Sequence, residues 1–242
     1  MAKYKDEIRA LAREKGRDAA LEAYKHRSFL LTEPLLDQVY PWRKGSSPYR
    51  IFLAELLLRK TTAAQAAGVF GELLERYPDP CALAEADLKR LDSLLKPLGL
   101  RERALLIKEA ASVLCWRYGG RVPCERKALE EIKGVGPYIA GAVLSFGCGK
   151  REAIVDTGIA RLWGRITGGA ITRSYSPHRD PAAWEASRAY VESYPGSPSE
   201  GNYILLDTSR LICRPRAPEC RKCSFRAVCA WGQQAARAED KL

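Results

Sequence analysis

The chain has 242 residues, 46% of them hydrophobic, with 40 Lys and Arg against 29 Asp and Glu and a formal charge of +11. That length can bury a substantial core, in one large domain or two small ones. No stretch approaches the roughly 18 uninterrupted apolar residues of a membrane span, and the N-terminus lacks a signal peptide's apolar region, so a cytoplasmic or nucleoid-associated protein is expected. A pI near 9.3 without a low-complexity tail puts the positive charge on a folded surface, which favours a polyanionic partner, nucleic acid first. A basic surface serving only solubility is the alternative. One Asn, four Gln and one Met are few, a composition that fits a thermophile.

Apolar residues recur at helical spacing and no run alternates as a half-buried strand does, so the expected fold class is all-α. Helices are predicted over 3–25, 28–40, 48–60, 62–77, 80–85, 87–95, 101–118 and 126–132, with Pro78, Pro80, Pro97, Gly99, Gly119, Gly120 and Pro123 as breaks. Glu55 stands inside an apolar run from Ile51 to Leu58, where a lone charge is costly to desolvate; a carboxyl group so placed can keep a proton to donate, or position a water. The competing reading is a polar stripe in which Glu55 pairs with Arg59 at i,i+4. Cys81, Cys115, Cys124 and Cys148 are read as core thiols, although a thermophile could oxidise them inside the cell.

The turn Gly134-Val135-Gly136 precedes Pro137 at a helix start. Such glycines can aim backbone amides at a phosphate, or merely reverse the chain. Asp156, ahead of the helical run from Ile159, reads locally as an N-cap. Near the C-terminus Cys213, Cys220, Cys223 and Cys229 stand at C-x6-C-x2-C-x5-C amid Arg and Lys. Four thiolates so spaced suit a [4Fe–4S] cluster, because a single C-x2-C with wide arms spans a larger centre than paired zinc knuckles do. Zinc is the rival and disulfides come third.

Several motifs in one order carry a resemblance across about 41–231. The run IKGVGPYIAGAVLSFGCGKREAIVDTGIARLWGR resembles the helix-hairpin-helix, Gly/Pro-rich loop and aspartate of the endonuclease III superfamily of base-excision DNA glycosylases. The cysteine spacing resembles that superfamily's [4Fe–4S] loop, and PWRKGSSPYRIFLAELLLRKTTAAQA resembles the archaeal mismatch-specific thymine/uracil glycosylases, then the A/G-specific adenine glycosylases. YGGRVPCERKAL over 118–129 is similar in the same way.

The resemblance implies a two-lobed helical fold, with a hairpin lobe over 45–155 and a discontinuous lobe of 1–44 plus 156–242. It implies a monomer on double-stranded DNA carrying a mismatched or damaged base. Asp156 would stabilise oxocarbenium character on the sugar and Glu55 would act as acid or water-positioning group. Tyr138 occupies the place where bifunctional members carry a Schiff-base lysine, and a phenol forms no imine, so little lyase activity is expected. Arg59, Lys60 and Thr61 would fill the gap left by the flipped nucleotide, while Gly134, Val135 and Gly136 hold the strand. The basic Arg59-Lys60-Thr61-Thr62 pattern, where adenine enzymes typically carry Gln-Gln-Thr-Gln, favours G·T and G·U; so does an end at Leu242 without a domain that reads 8-oxoguanine. Gly158 departs from the Asn common in both groups. The alternatives are an adenine glycosylase acting opposite G or 8-oxoguanine, and a non-catalytic iron–sulfur or zinc DNA-binding protein.

Overall fold

Short polar side chains start most of the helices. Ser47, Thr62, Asp79, Asp87, Asp156, Asp180 and Ser197 each accept a backbone N–H from the first turn that follows, satisfying donors that a helix cannot use itself. At Thr62 the bond is reciprocal, because the Gln65 side chain accepts the Thr62 amide at 3.2 Å. The computed structural model describes residues 2–26, 40–99, 102–171 and 179–239. The predicted 28–40 stretch lies outside them except for Tyr40.

In chain order the helices are α1 (Ala2–Lys25), α2 (Pro48–Leu57), α3 (Ala63–Arg76), α4 (Pro80–Ala84), α5 (Leu88–Leu95), α6 (Arg103–Tyr118), α7 (Arg126–Glu130), α8 (Pro137–Ala142), α9 (Thr157–Ile166), α10 (Pro181–Ser193), α11 (Pro198–Asp207) and α12 (Ala230–Glu239). Helices α8 and α11 run on into π-helical turns at Val143–Gly147 and Thr208–Ile212. Among the described residues there is no strand, as the helical spacing predicts, and no helix is long and apolar enough to cross a membrane. The helix predicted over 48–60 ends at Leu57, and the chain turns left-handed beyond it at Lys60, φ 51°.

Two compact units make up the chain: Pro34–Lys150, and Met1–Glu33 with Arg151–Leu242. In the first, α2 is central, and every residue from Ile51 to Leu57 is buried. Its partners are α3, α8 and the π turn after α8. A Cβ at Gly147 would stand 2.7 Å from Pro48 Cα, so only glycine lets the end of that turn meet the start of α2. Trp42 packs edge-on to Phe70 with centroids 5.6 Å apart.

The expectation of core thiols is overturned in this unit. Cys81 is bonded to Cys115 and Cys124 to Cys148, and all four are only half-buried. The packing of α4 on α6 brings the first pair's Cα atoms to 4.8 Å, and the second pair's stand 5.9 Å apart, both within the range a disulfide spans.

In the second unit α1 lies along α10, close enough that a Cβ at Gly16 would meet the Ala186 carbonyl and, at 3.0 Å, the Ala189 Cβ. Trp163, Tyr190, Tyr194 and Phe225 form a fully buried ring cluster with centroids 5.7–6.1 Å apart, each pair worth about 0.5–1.5 kcal/mol beyond its buried area. Trp163 Nε1 donates to Ser187 Oγ at 2.8 Å, which satisfies the one polar group the indole buries.

Candidate functional site

Glu55 belongs to the buried stretch of α2 and is 7% exposed, so it is an interior carboxyl rather than part of a solvent-facing stripe. Arg59 and Lys60, just past the helix end, are exposed, and Thr61 is half-buried with its hydroxyl donating to the Leu98 carbonyl at 3.2 Å. The hairpin helix α8 packs on α2, which puts Tyr138, half-buried on α8, in the same unit as Glu55.

The hairpin turn needs glycine at one position for two reasons. Gly134 has φ +90°, and a Cβ there would stand 3.0 Å from both Arg59 Nη1 and Leu106 Cδ1. The Arg59 guanidinium therefore rests against the hairpin. Val135 is buried and its amide donates to the Ile132 carbonyl at 2.9 Å, so that N–H is taken by the turn itself. Gly136 caps α8 in an extended conformation, and Pro137 adds no amide. A cleft of about 490 Å³ in this unit is bordered by Arg59, Lys60, Arg103 and Lys133 together with Glu102 and Glu109. Glu109 accepts a hydrogen bond from Lys133 at 2.9 Å, which raises the ammonium's pKa and neutralises part of the cleft.

Asp156 lies in the other unit, directly after the buried Ala153-Ile154-Val155. Its Oδ1 accepts the Ile159 amide at 2.7 Å, the N-cap bond of α9, and Oδ2 lies 3.9 Å from Arg210 Nη2. One carboxylate oxygen is thus anchored by the helix start and the other faces a guanidinium, with the side chain 28% exposed. The π turn after α11 supplies Arg210 and also Ser209, which local sequence reading missed because it lies more than 50 residues downstream. A Cβ at Gly158 would stand 2.7 Å from Ser209 Oγ and 3.2 Å from Asp156 Oδ1, so the serine hydroxyl occupies the space beside the carboxylate where a side chain at 158 would begin.

Helix α9 also grips the cysteine loop. Arg161 donates to the Cys213 carbonyl at 3.0 Å and to the Ser209 carbonyl at 2.6 Å. Arg165, one turn on, donates to Cys213 Sγ at 3.1 Å and to the Arg214 and Pro215 carbonyls. Cys213, Cys220, Cys223 and Cys229 are free thiols lining a single cavity, walled on other sides by Leu162 and Trp231. Among the described residues no three Cys, His, Asp or Glu side chains are grouped so as to hold a single metal ion. Burial pushes the Cys223 thiol up to about 12, and the neighbouring Cys213, Cys229 and Cys220 add to the rise. Four thiols bordering one cavity stay thiolates only if positive charge sits among them, and a guanidinium on one sulfur and the Gly232 amide on another are the kind of outer hydrogen bonds that tune an iron–sulfur centre. The donor set therefore fits such a group. Of the basic residues around the loop, Arg214 and Lys222 are both paired with Glu219, at 2.7 Å each.

A family model described as the HhH-GPD superfamily base excision DNA repair protein matches residues 53–177. A thymine-DNA glycosylase of Aeropyrum pernix is 39% identical over 219 residues, covering 90% of this chain and 96% of that protein. A thymine/uracil-DNA glycosylase of Pyrobaculum aerophilum is 37% identical over 199 residues, covering 81% of this chain and 86% of that one. The solved structure of a thermostable thymine-DNA glycosylase superposes with a TM-score of 0.76 at 30% identity, over 95% of this chain and 99% of its own.

Proposed function

The chain belongs to the HhH-GPD superfamily of base excision DNA repair proteins, and from that premise we propose that it excises thymine or uracil mispaired with guanine, as a monofunctional enzyme. It is a DNA N-glycosylase: two relatives more than a third identical over most of the chain carry that activity in their names. The observation that carries the mechanism is the carboxylate of Asp156, fixed through Oδ1 at a helix start with Oδ2 3.9 Å from Arg210 Nη2.

Breaking the N-glycosidic bond leaves positive character on the deoxyribose. A preorganised carboxylate stabilises that charge without having to reorganise as it forms, and can take a proton from the attacking water. Glu55, interior on α2, is the acid or water-orienting group for the leaving base. The target nucleotide leaves the stack first, at a cost of a few kcal/mol that is smallest at a mispair. Arg59, Lys60 and Thr61 fill the vacancy and meet the orphan guanine. The Gly134 and Gly136 amides hold the strand's phosphate, with Val135 serving the turn rather than the DNA. The protein acts as a monomer on duplex DNA.

Cys213, Cys220, Cys223 and Cys229 would hold a [4Fe–4S] cluster, which when bound ties the ends of the loop together as a structural cross-link. A brown preparation containing iron and sulfide is the expected result, and a colourless zinc protein would refute it.

Duplexes bearing G·T, G·U, A·G and A·8-oxoguanine, cleaved by alkali after incubation, test base choice; adenine release in place of thymine or uracil would overturn the reading. Asp156→Asn should lower single-turnover excision by about 10²-fold or more while duplex binding persists. With Tyr138 where a lysine would be needed, borohydride should trap almost no protein on DNA. Efficient trapping would end the monofunctional assignment.

A further inference from the structure

Helix α2 stops at Leu57, and the loop that follows carries the residues assigned above to the vacated stack. Carbonyl groups in a helix's last turn have no partner within it, and those that face the protein interior need donors from elsewhere. One side chain supplies them. Arg103, which opens α6 and is 3% exposed, donates through Nη1 to the Leu57 carbonyl and to the Leu56 carbonyl at 3.4 Å. Through Nη2 it donates to the Arg59 carbonyl at 2.7 Å, to Thr61 Oγ1 at 2.8 Å and to the Leu98 carbonyl at 3.5 Å. The Thr61 hydroxyl in turn donates to that same Leu98 oxygen, which closes the network. Between these anchors Lys60 is held left-handed at φ 51°, a conformation that persists in a non-glycine residue only where its surroundings over-determine it. Nothing local in the sequence marks Arg103, because its acceptors at 56–61 lie more than 40 residues upstream.

We infer that Arg103 is a positioning residue for nucleotide extrusion: its buried guanidinium holds the Leu58–Thr61 backbone in the conformation from which Arg59, Lys60 and Thr61 enter the gap. The inference rests on the glycosylase reading above. Arg103 is nearly buried and its guanidinium is committed to the oxygens of the loop, so it acts through the loop rather than on DNA. Lysine keeps the charge but lacks the planar fork, and cannot serve the 57, 59 and 61 oxygens together. Arg103→Lys is therefore the informative variant. Thr61→Val cuts the same network at its half-buried end; because Thr61 is itself assigned to the gap, its deciding readout is exchange over 58–62, which keeps the test decisive should Arg103→Lys fail to fold.

Extrusion is read by 2-aminopurine fluorescence beside a G·T mispair, and loop order by hydrogen exchange of the 58–62 amides, at temperatures where each variant's circular dichroism matches the wild type. Both variants should exchange faster over 58–62 and lose about tenfold or more in extrusion and in single-turnover release. Arg103→Lys should bind undamaged duplex within about twofold of wild type, since the charge count is unchanged. Unaltered exchange, or extrusion that survives while only the melting temperature falls, would overturn the inference and leave Arg103 a stability residue. A wild-type protein that released no thymine or uracil would overturn the glycosylase reading instead, and exchange over 58–62 would still decide whether Arg103 holds the loop.

Discussion

Gly158→Ala places one methyl group where three atoms already stand. Its Cβ would meet Ser209 Oγ at 2.7 Å, Ser209 Cβ at 3.2 Å and Asp156 Oδ1 at 3.2 Å. Ser209 cannot swing aside cheaply, being fully buried with its hydroxyl donating to the Leu206 carbonyl at 2.8 Å. Forcing a methyl into packed surroundings costs about 1–3 kcal/mol. Displacing Asp156 Oδ1 from the Ile159 amide adds up to about 1 kcal/mol of lost cap. Replacing a glycine in the first turn of α9 returns about 0.5–1 kcal/mol through the unfolded chain. The net loss centres on about 2 kcal/mol, a fall of roughly 4–8 °C in melting temperature for a chain of this size. Single-turnover excision should drop by about tenfold or more, because the carboxylate moves with its cap. Ser209→Ala in the same chain removes the nearest obstacle, so the double variant should recover about 1 kcal/mol relative to the sum of the single changes. Thermal denaturation and excision are measured on all four proteins. A Gly158→Ala protein that melts within about 1 °C of wild type, or losses that simply add, would show that the hydroxyl does not crowd this carboxylate.

The disulfides Cys81–Cys115 and Cys124–Cys148 close loops of 34 and 24 residues, and each should contribute about 2–4 kcal/mol. Thiol titration of the denatured protein before and after reduction should differ by these four cysteines, and the paired Ala variants should melt lower; equal titres would show that the bonds do not form. Glu185 accepts hydrogen bonds from Arg188 at 2.9 Å and Arg13 at 3.0 Å, which hold its pKa below the usual carboxylate value. A depressed acid stabilises the fold above its unfolded pKa, about 4.3, and loses that contribution as the pH falls through the folded value. Glu185→Gln should therefore cost less than about 1 kcal/mol at pH 7, the pair being partly exposed, and about nothing near pH 3. A denaturant midpoint difference that stays constant between those pH values would refute the assignment.

Helical class and family were legible in the chain because both are written in short-range signals: apolar spacing of 3.6, capping residues such as Thr62 and Asp79, and contiguous motifs such as Ile132–Arg165. Local reading could offer Asp156 as an N-cap, and the structure holds it in that geometry. Glu55 was ambiguous by spacing alone, and burial of the whole Ile51–Leu57 stretch removes the solvent-facing reading. The end of α2 was misplaced because the Arg103 donors that satisfy it arrive from another helix. The cysteines at 81, 115, 124 and 148 were misread for the same reason, since pairing depends on which elements meet, not on what stands beside each thiol.

Periodicity, caps and contiguous motifs act over a few residues, so the order of the amino acids alone determined that this chain is helical and which repair superfamily it joins. Contacts made across 24 residues or more decided the rest: a guanidinium under the Arg59–Thr61 loop, a serine hydroxyl beside Asp156, and two disulfides in place of four thiols. Their partners are brought together by packing, and packing energy belongs to no local stretch of sequence.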